Sequence, residues 1–271
     1  MDVLRRNNVT VRGSTGPAMM FAHGFGCDQN MWRHVAGSFA DRNRVVLFDH
    51  VGAGAADTSA YSTDKYGRLH GYADDVIEIC EAQGHSDVIF VGHSVSATIG
   101  VLAAVKRPDL FAGLVLICPS PRYSNTDTYS GGFNEADIDE LLDLLEINNL
   151  DWSSVMAPVV LGPDNLDAQA EWRESVCRAD PAIAKEFARA TFKSDHRAEF
   201  RQVSTPTLVI ECSSDNLAPR EVGAWVRDAI KGSRLVTVDA TGHCPHMTAP
   251  ADVIRIIRSF NPADHAVRTA A

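Results

Sequence analysis

The chain has 271 residues, 45% of them apolar, 22% charged and 7% aromatic, a profile of one ordinary soluble domain rather than a fibrous, disordered or membrane-spanning chain. A domain of this length removes roughly three quarters of its unfolded surface from water, so its core requires neither metal nor disulfide. The net charge of −10, spread without long like-charge runs, lacks the basic footprint of a nucleic-acid binder and reads as a solvated acidic exterior.

The opening stretch MDVLRRNNVTV has no apolar core ahead of a small-residue cleavage site, and no 18-residue apolar run follows, so neither export nor membrane insertion is signalled. Cys27, Cys80, Cys118, Cys177, Cys212 and Cys244 are scattered without CxxC pairs, which predicts reduced thiols and a cytoplasmic address. Short apolar runs at Met19 to Ala22, Val45 to Phe48, Val88 to Val91, Leu114 to Cys118, Thr207 to Cys212 and Leu235 to Val238 predict buried parallel strands. Uninterrupted runs are expected when helices cover both sheet faces. Tyr72, Val76, Ile79 and Cys80 mark an amphipathic helix closed by Gly84, and Ala97 to Lys106 a second. Val253, Ile256, Ile257 and Phe260 mark another, stopped by Pro262. The alternation is that of an α/β fold.

The rhythm breaks over residues 119–197. No strand is read there, while Ile138, Leu141, Leu142 and Leu145, then Trp152 to Val160, then Pro181 to Phe192, read as helices. The expected organisation is a core of residues 1–118 and 198–262, a helical cap of 119–197 over the sheet's C-terminal edge, and a flexible tail of 263–271.

Val88 to Val91 runs into Gly92, His93, Ser94, Val95 and Ser96 and then into a helix, the strand, sharp turn and helix of a nucleophile elbow. Ser96 stands where the GxSxG pattern has its last glycine. A serine hydroxyl is a weak nucleophile near neutral pH, so Ser94 needs a base and a group to orient it. Asp215 follows the strand Thr207 to Cys212, and His243 follows Leu235 to Val238 in a turn that Gly242 permits, giving the order nucleophile, acid, base. Asp239 is a rival acid whose nearness to His243 suits a loop role better. After Met19 to Ala22, the turn His23-Gly24-Phe25-Gly26 brings a backbone N–H toward the substrate, so Phe25 and Val95 are the expected oxyanion donors.

With HGFGCDQ at 23–29, FDHVGAG at 48–54, VGHSVSA at 91–97, SSDNLAP from 213 and GHCPHM at 242–247, the sequence resembles the α/β-hydrolase subgroup of RsbQ-like proteins and of the karrikin and strigolactone receptors. The resemblance runs from about residue 4 to residue 260. It implies an α/β-hydrolase fold, a mostly parallel sheet covered on both faces with a four-helix cap. It also implies a cofactor-free carboxylic-ester hydrolase that cleaves small apolar esters or butenolide-type lactones through a Ser-His-Asp triad, often acting as a ligand sensor. The alternative it implies is a regulatory protein whose main role is ligand-dependent binding of a partner such as a PAS-domain phosphatase. Ser96 fits the subgroup's own GHSVSA, whereas Ala55 and Ala56 depart from it. Family pocket positions fall on Phe25, His93, Val95, Tyr123, Phe133, Trp152, Met156, Phe192 and Leu217.

A metal site is not expected. His243, Cys244 and His246 have no further ligand at suitable spacing, and a metal on His243 would leave Ser94 without its base. His246 then reads as a loop-packing or surface residue, and His23 and His93 as positioning groups. Gly52 and Gly54 lack the spacing and lysine of a phosphate loop and read as a tight turn.

Overall fold

The computed structural model describes residues 2–263; the tail expected at 263–271 lies, from residue 264 on, outside the described residues. Among the described residues, strands β1 (Thr10–Arg12), β2 (Ala18–Ala22), β3 (Arg44–Leu47), β4 (Val88–His93), β5 (Phe111–Ile117), β6 (Thr207–Ser214) and β7 (Arg234–Thr241) form one sheet in the order β1-β3-β2-β4-β5-β6-β7. All neighbours pair in parallel except β1, which runs antiparallel to β3 at the edge. The six runs read from the sequence are the six parallel strands. Most side chains of β2 to β6 are buried because helices cover the sheet, whereas in the edge strand β7 only Val238 is: α1 (Leu69–Ala82), α2 (Val95–Lys106), α7 (Arg220–Ala229) and α8 (Pro250–Arg258) supply that cover.

Edge strand β1 escaped the sequence reading. Its three residues are all exposed, so no apolar run marks it; Val11 instead pairs with Val46 of β3 through the backbone alone.

Between β5 and β6 lie α3 (Glu135–Ile147), α4 (Asn149–Leu161), α5 (Leu166–Arg178) and α6 (Pro181–Phe192). Helix α5 is the one that residue periodicity missed. Its buried side chains are Trp172 and Val176, one short stripe on an otherwise polar helix, too sparse to stand out from a loop.

Because the central strands are parallel, their C-terminal ends share one edge of the sheet. That edge carries His23 after β2, His50 beyond β3, Ser94 after β4, Cys118 after β5, Asp215 after β6 and His243 just past β7.

Candidate active site

Ser94 occupies the turn between β4 and α2 with φ 56° and ψ −122°, a backbone conformation that L residues rarely adopt. The turn closes because its neighbours are small: a Cβ at Gly92 would stand 2.5 Å from the Ser96 carbonyl oxygen. The Ser94 N–H donates to the Ile117 carbonyl at 2.9 Å, which ties the elbow to β5.

Ser96 explains its own presence. Its hydroxyl donates to the His23 carbonyl at 2.5 Å and so accepts from His50 Nε2–H at 2.7 Å. The His50 backbone N–H in turn donates to His23 Nε2 at 3.1 Å, leaving His23 Nδ1–H to donate to the Gly24 carbonyl at 2.9 Å. One buried chain therefore links the elbow, the loop after β3 and the turn that carries Phe25.

That chain makes the fold acid-sensitive. His23 and His50 are fully buried, and desolvation holds both below the ordinary imidazole range, His50 well below; the carboxylates of Asp49 and Asp28 only partly oppose this for His23. Both stay neutral in the fold but take a proton on unfolding below about pH 6.5, so their contribution is complete above that pH and lost as pH falls below it. From about pH 7 to about pH 5.5 the two together should remove roughly 2 kcal/mol of stability. Urea midpoints at the two pH values check this, and a midpoint that does not fall contradicts it.

Asp215 lies just past the end of β6 and His243 just past β7. His243 Nδ1–H donates to Asp215 Oδ2 at 2.7 Å, and Ser94 Oγ–H donates to His243 Nε2 at 2.7 Å. The other oxygen of Asp215 accepts the N–H groups of Leu217 at 2.8 Å and Ala218 at 3.1 Å, so the carboxylate cannot swing away. The His243 N–H donates to the Val160 carbonyl of α4 at 2.6 Å, and its carbonyl accepts from His93 Nε2–H at 2.8 Å. His93 therefore grips His243 through the backbone. Gly24 makes room for it, since a Cβ there would stand 2.5 Å from His93 Nδ1. Asp239 lies within β7 rather than in a loop; it is exposed and accepts from Ser213 Oγ of β6 at 3.0 Å, away from His243.

Helix α2 starts at Val95, whose N–H is one of those that a helix leaves without an internal acceptor, beside the Ser94 hydroxyl. Phe25 stands across the same space, its ring 5.7 Å from Trp152 and 6.1 Å from Phe192. Above Ser94 is a narrow apolar cavity of about 30 Å³. Phe25, His93, Tyr123, Trp152, Met156, Phe192 and Leu217 line it as expected. Tyr123 Oη lies 3.4 Å from Ser94 Oγ, and burial raises its phenol well above the ordinary range, so it stays protonated.

Two expected wall residues are not in the lining. Val95 is buried with its side chain turned to the core, and Phe133 sits in the loop that braces Tyr123, its N–H donating to the Tyr123 carbonyl at 3.2 Å. Val160, Trp172, Thr191 and Cys244 line the cavity instead. Val160 was within reach of the sequence, because it continues Trp152 and Met156 at helical spacing; Trp172 was not, once α5 had gone unread.

The glycines after β3 serve packing. A Cβ at Gly54 (φ 54°) would stand 2.4 Å from the Asp49 carboxylate, which accepts the N–H groups of Gln29 and Ala55, and one at Gly52 (φ 97°) would strike Ile183 of α6 at 2.2 Å. His246 is not a surface residue: it is fully buried, its ring 4.5 Å from Trp32 and 4.4 Å from His93.

The family model described as "Alpha/beta hydrolase family" matches residues 19–256. The chain belongs to the α/β-hydrolase family. It is 38% identical to the karrikin insensitive 2 receptor CA of Petunia hybrida over 93% of this chain and 94% of that one. Identity to the strigolactone esterase D14 of Arabidopsis thaliana is 35%, over 96% and 98% of the two chains. Among solved structures, a hydrolase from Oleispira antarctica superposes with a TM-score of 0.92 at 39% identity, covering 96% of this chain and 97% of that one. None of the described helices is long and apolar enough to cross a membrane.

Proposed function

We propose that this α/β-hydrolase is a carboxylic-ester hydrolase that cleaves small apolar esters or butenolide-type lactones through Ser94, His243 and Asp215, with residues 119–197 capping a core of 1–118 and 198–262. The observation that carries the reading is the unbroken run from hydroxyl to imidazole to carboxylate, 2.7 Å at each step. The names of the relatives, a strigolactone esterase and a karrikin receptor, support the substrate class.

As the Ser94 oxygen attacks the substrate carbonyl, His243 Nε2 takes its proton, and Asp215 steadies the imidazolium through the Nδ1–H bond. The Phe25 and Val95 N–H groups hold the oxyanion. His243 then returns the proton to the departing alkoxide, which in a lactone stays tethered to the acyl group. Water, deprotonated by the same imidazole, releases the acid and restores Ser94. Tyr123 adds a hydroxyl beside the reacting oxygen. The cavity is small, so it favours compact substrates and requires wall side chains such as Met156 or Phe192 to turn aside for larger ones.

Incubating the protein with p-nitrophenyl acetate and a panel of small lactones, followed by mass spectrometry, tests the reading. Turnover with an acyl group trapped on Ser94 is expected; equal turnover by Ser94→Ala would end the proposal.

A second reading, ligand-dependent binding of a regulatory protein such as a PAS-domain phosphatase, is favoured by the exposed apolar side chains. Of the five large ones exposed among the described residues, Ile147, Leu150, Val155 and Leu166 are on the cap helices. Pull-down of that partner with and without a butenolide separates a sensor from a plain esterase. The scattered cysteines, with no CxxC pair among them, are what supports a cytoplasmic setting.

A further inference from the structure

We propose that His93, Cys244 and His246 form a three-coordinate site for a soft monovalent metal ion of the copper(I) type. Chain order offered only His243, Cys244 and His246, a set that would have consumed the base. The fold replaces His243 with His93 from the far side of the sheet edge, and the ligating atoms of His93, Cys244 and His246 all lie within 4.8 Å of one another.

Geometry, polarity and charge each point the same way. Metal bonds of about 2.3 Å to sulfur and about 2.0 Å to nitrogen, spread in a plane, put sulfur and nitrogen roughly 3.7 Å apart, and Cys244 Sγ is 3.8 Å from His93 Nε2. His246 is fully buried, yet neither of its ring nitrogens has a hydrogen-bond partner, an arrangement that is costly unless something fills it. One thiolate against one monovalent cation makes a neutral complex, the only kind that a fully buried pocket accepts cheaply. A dication would leave a net charge and lack a fourth ligand, whereas two imidazoles and a thiolate in a plane suit copper.

On binding, Cys244 loses its thiol proton to solvent. His93 shifts its proton from Nε2 to Nδ1, freeing the Nε2 lone pair and giving up its bond to the His243 carbonyl. The loop of the base is loosened, so the loaded protein is the slower hydrolase.

The test uses the full chain with Cys177→Ser, which removes the exposed thiol. It is titrated anaerobically with copper(I) against bathocuproine disulfonate and then examined by X-ray absorption. One equivalent withheld from the chelator, bound by one sulfur and two imidazoles, is expected. Cys244→Leu should weaken it by roughly 100-fold or more, since loss of even an outer partner costs 10–100-fold. Failure to retain copper, retention undiminished in Cys244→Leu, or a spectrum with no sulfur or several overturns the site. If Cys244→Leu does not fold, the spectrum of the parent decides. Unchanged p-nitrophenyl acetate turnover in loaded protein overturns the link to His243 alone, and a protein with no esterase activity leaves the binding result standing.

Discussion

Asp215→Asn is expected to lower p-nitrophenyl acetate turnover by about 10⁴-fold while the protein stays folded. The magnitude follows from how the carboxylate is held. One oxygen accepts two backbone N–H groups, from Leu217 and Ala218, and the other accepts His243 Nδ1–H. An asparagine must turn its carbonyl oxygen toward the two N–H groups, because its NH₂ has nothing to donate to there. The NH₂ then faces Nδ1 and forces that nitrogen to become the acceptor, so the proton moves to Nε2, where the lone pair for Ser94 was. The base is present, in place and in the wrong tautomer. Kinetics beside a thermal melt check this: loss of turnover with Tm little changed is expected, and a variant within tenfold of the parent would contradict it.

Gly242→Ala is expected to cost about 3 kcal/mol or more, lowering Tm by roughly 6–12 °C, and to depress turnover by about 10²-fold as well. Gly242 has φ 102°, and a Cβ there would stand 2.7–2.8 Å from Gly162 N, Leu161 C and Val160 O. All three are backbone atoms at the end of α4, with no flexible tip to yield. Either the helix end or the loop must shift, and the loop carries His243 on the next bond. Thermal unfolding and turnover measured together test the claim; a variant with parental values for both would refute it.

The two changes differ in how far the sequence announced them. Asp215 and His243 were legible because each follows a short apolar run, and such runs between helices reveal strands without any knowledge of tertiary contacts. The seven-stranded sheet was short by β1 in that reading, since an exposed edge strand of three residues leaves no hydrophobic trace. Gly242 was legible as a turn but not as a contact, because its partner, the end of α4, lies some eighty residues upstream. Phe133 and Trp172 were lost for different reasons: Phe133 lies in a loop, where no periodicity says which way a side chain faces, and Trp172 lies on α5, whose short apolar stripe hid the helix itself. The meeting of His93 with His246 was equally hidden, the two being brought together only when β4 and β7 deliver their ends to one edge.

The bond from the His243 amide to the Val160 carbonyl joins main chain to main chain. It holds whatever side chain residue 160 carries. Trp152, Met156 and Val160 can therefore be exchanged one by one, reshaping the chamber for a different acyl group, while the proton acceptor keeps its bearing. An architecture wired in this manner lets descendants change diet without rebuilding the machinery that digests.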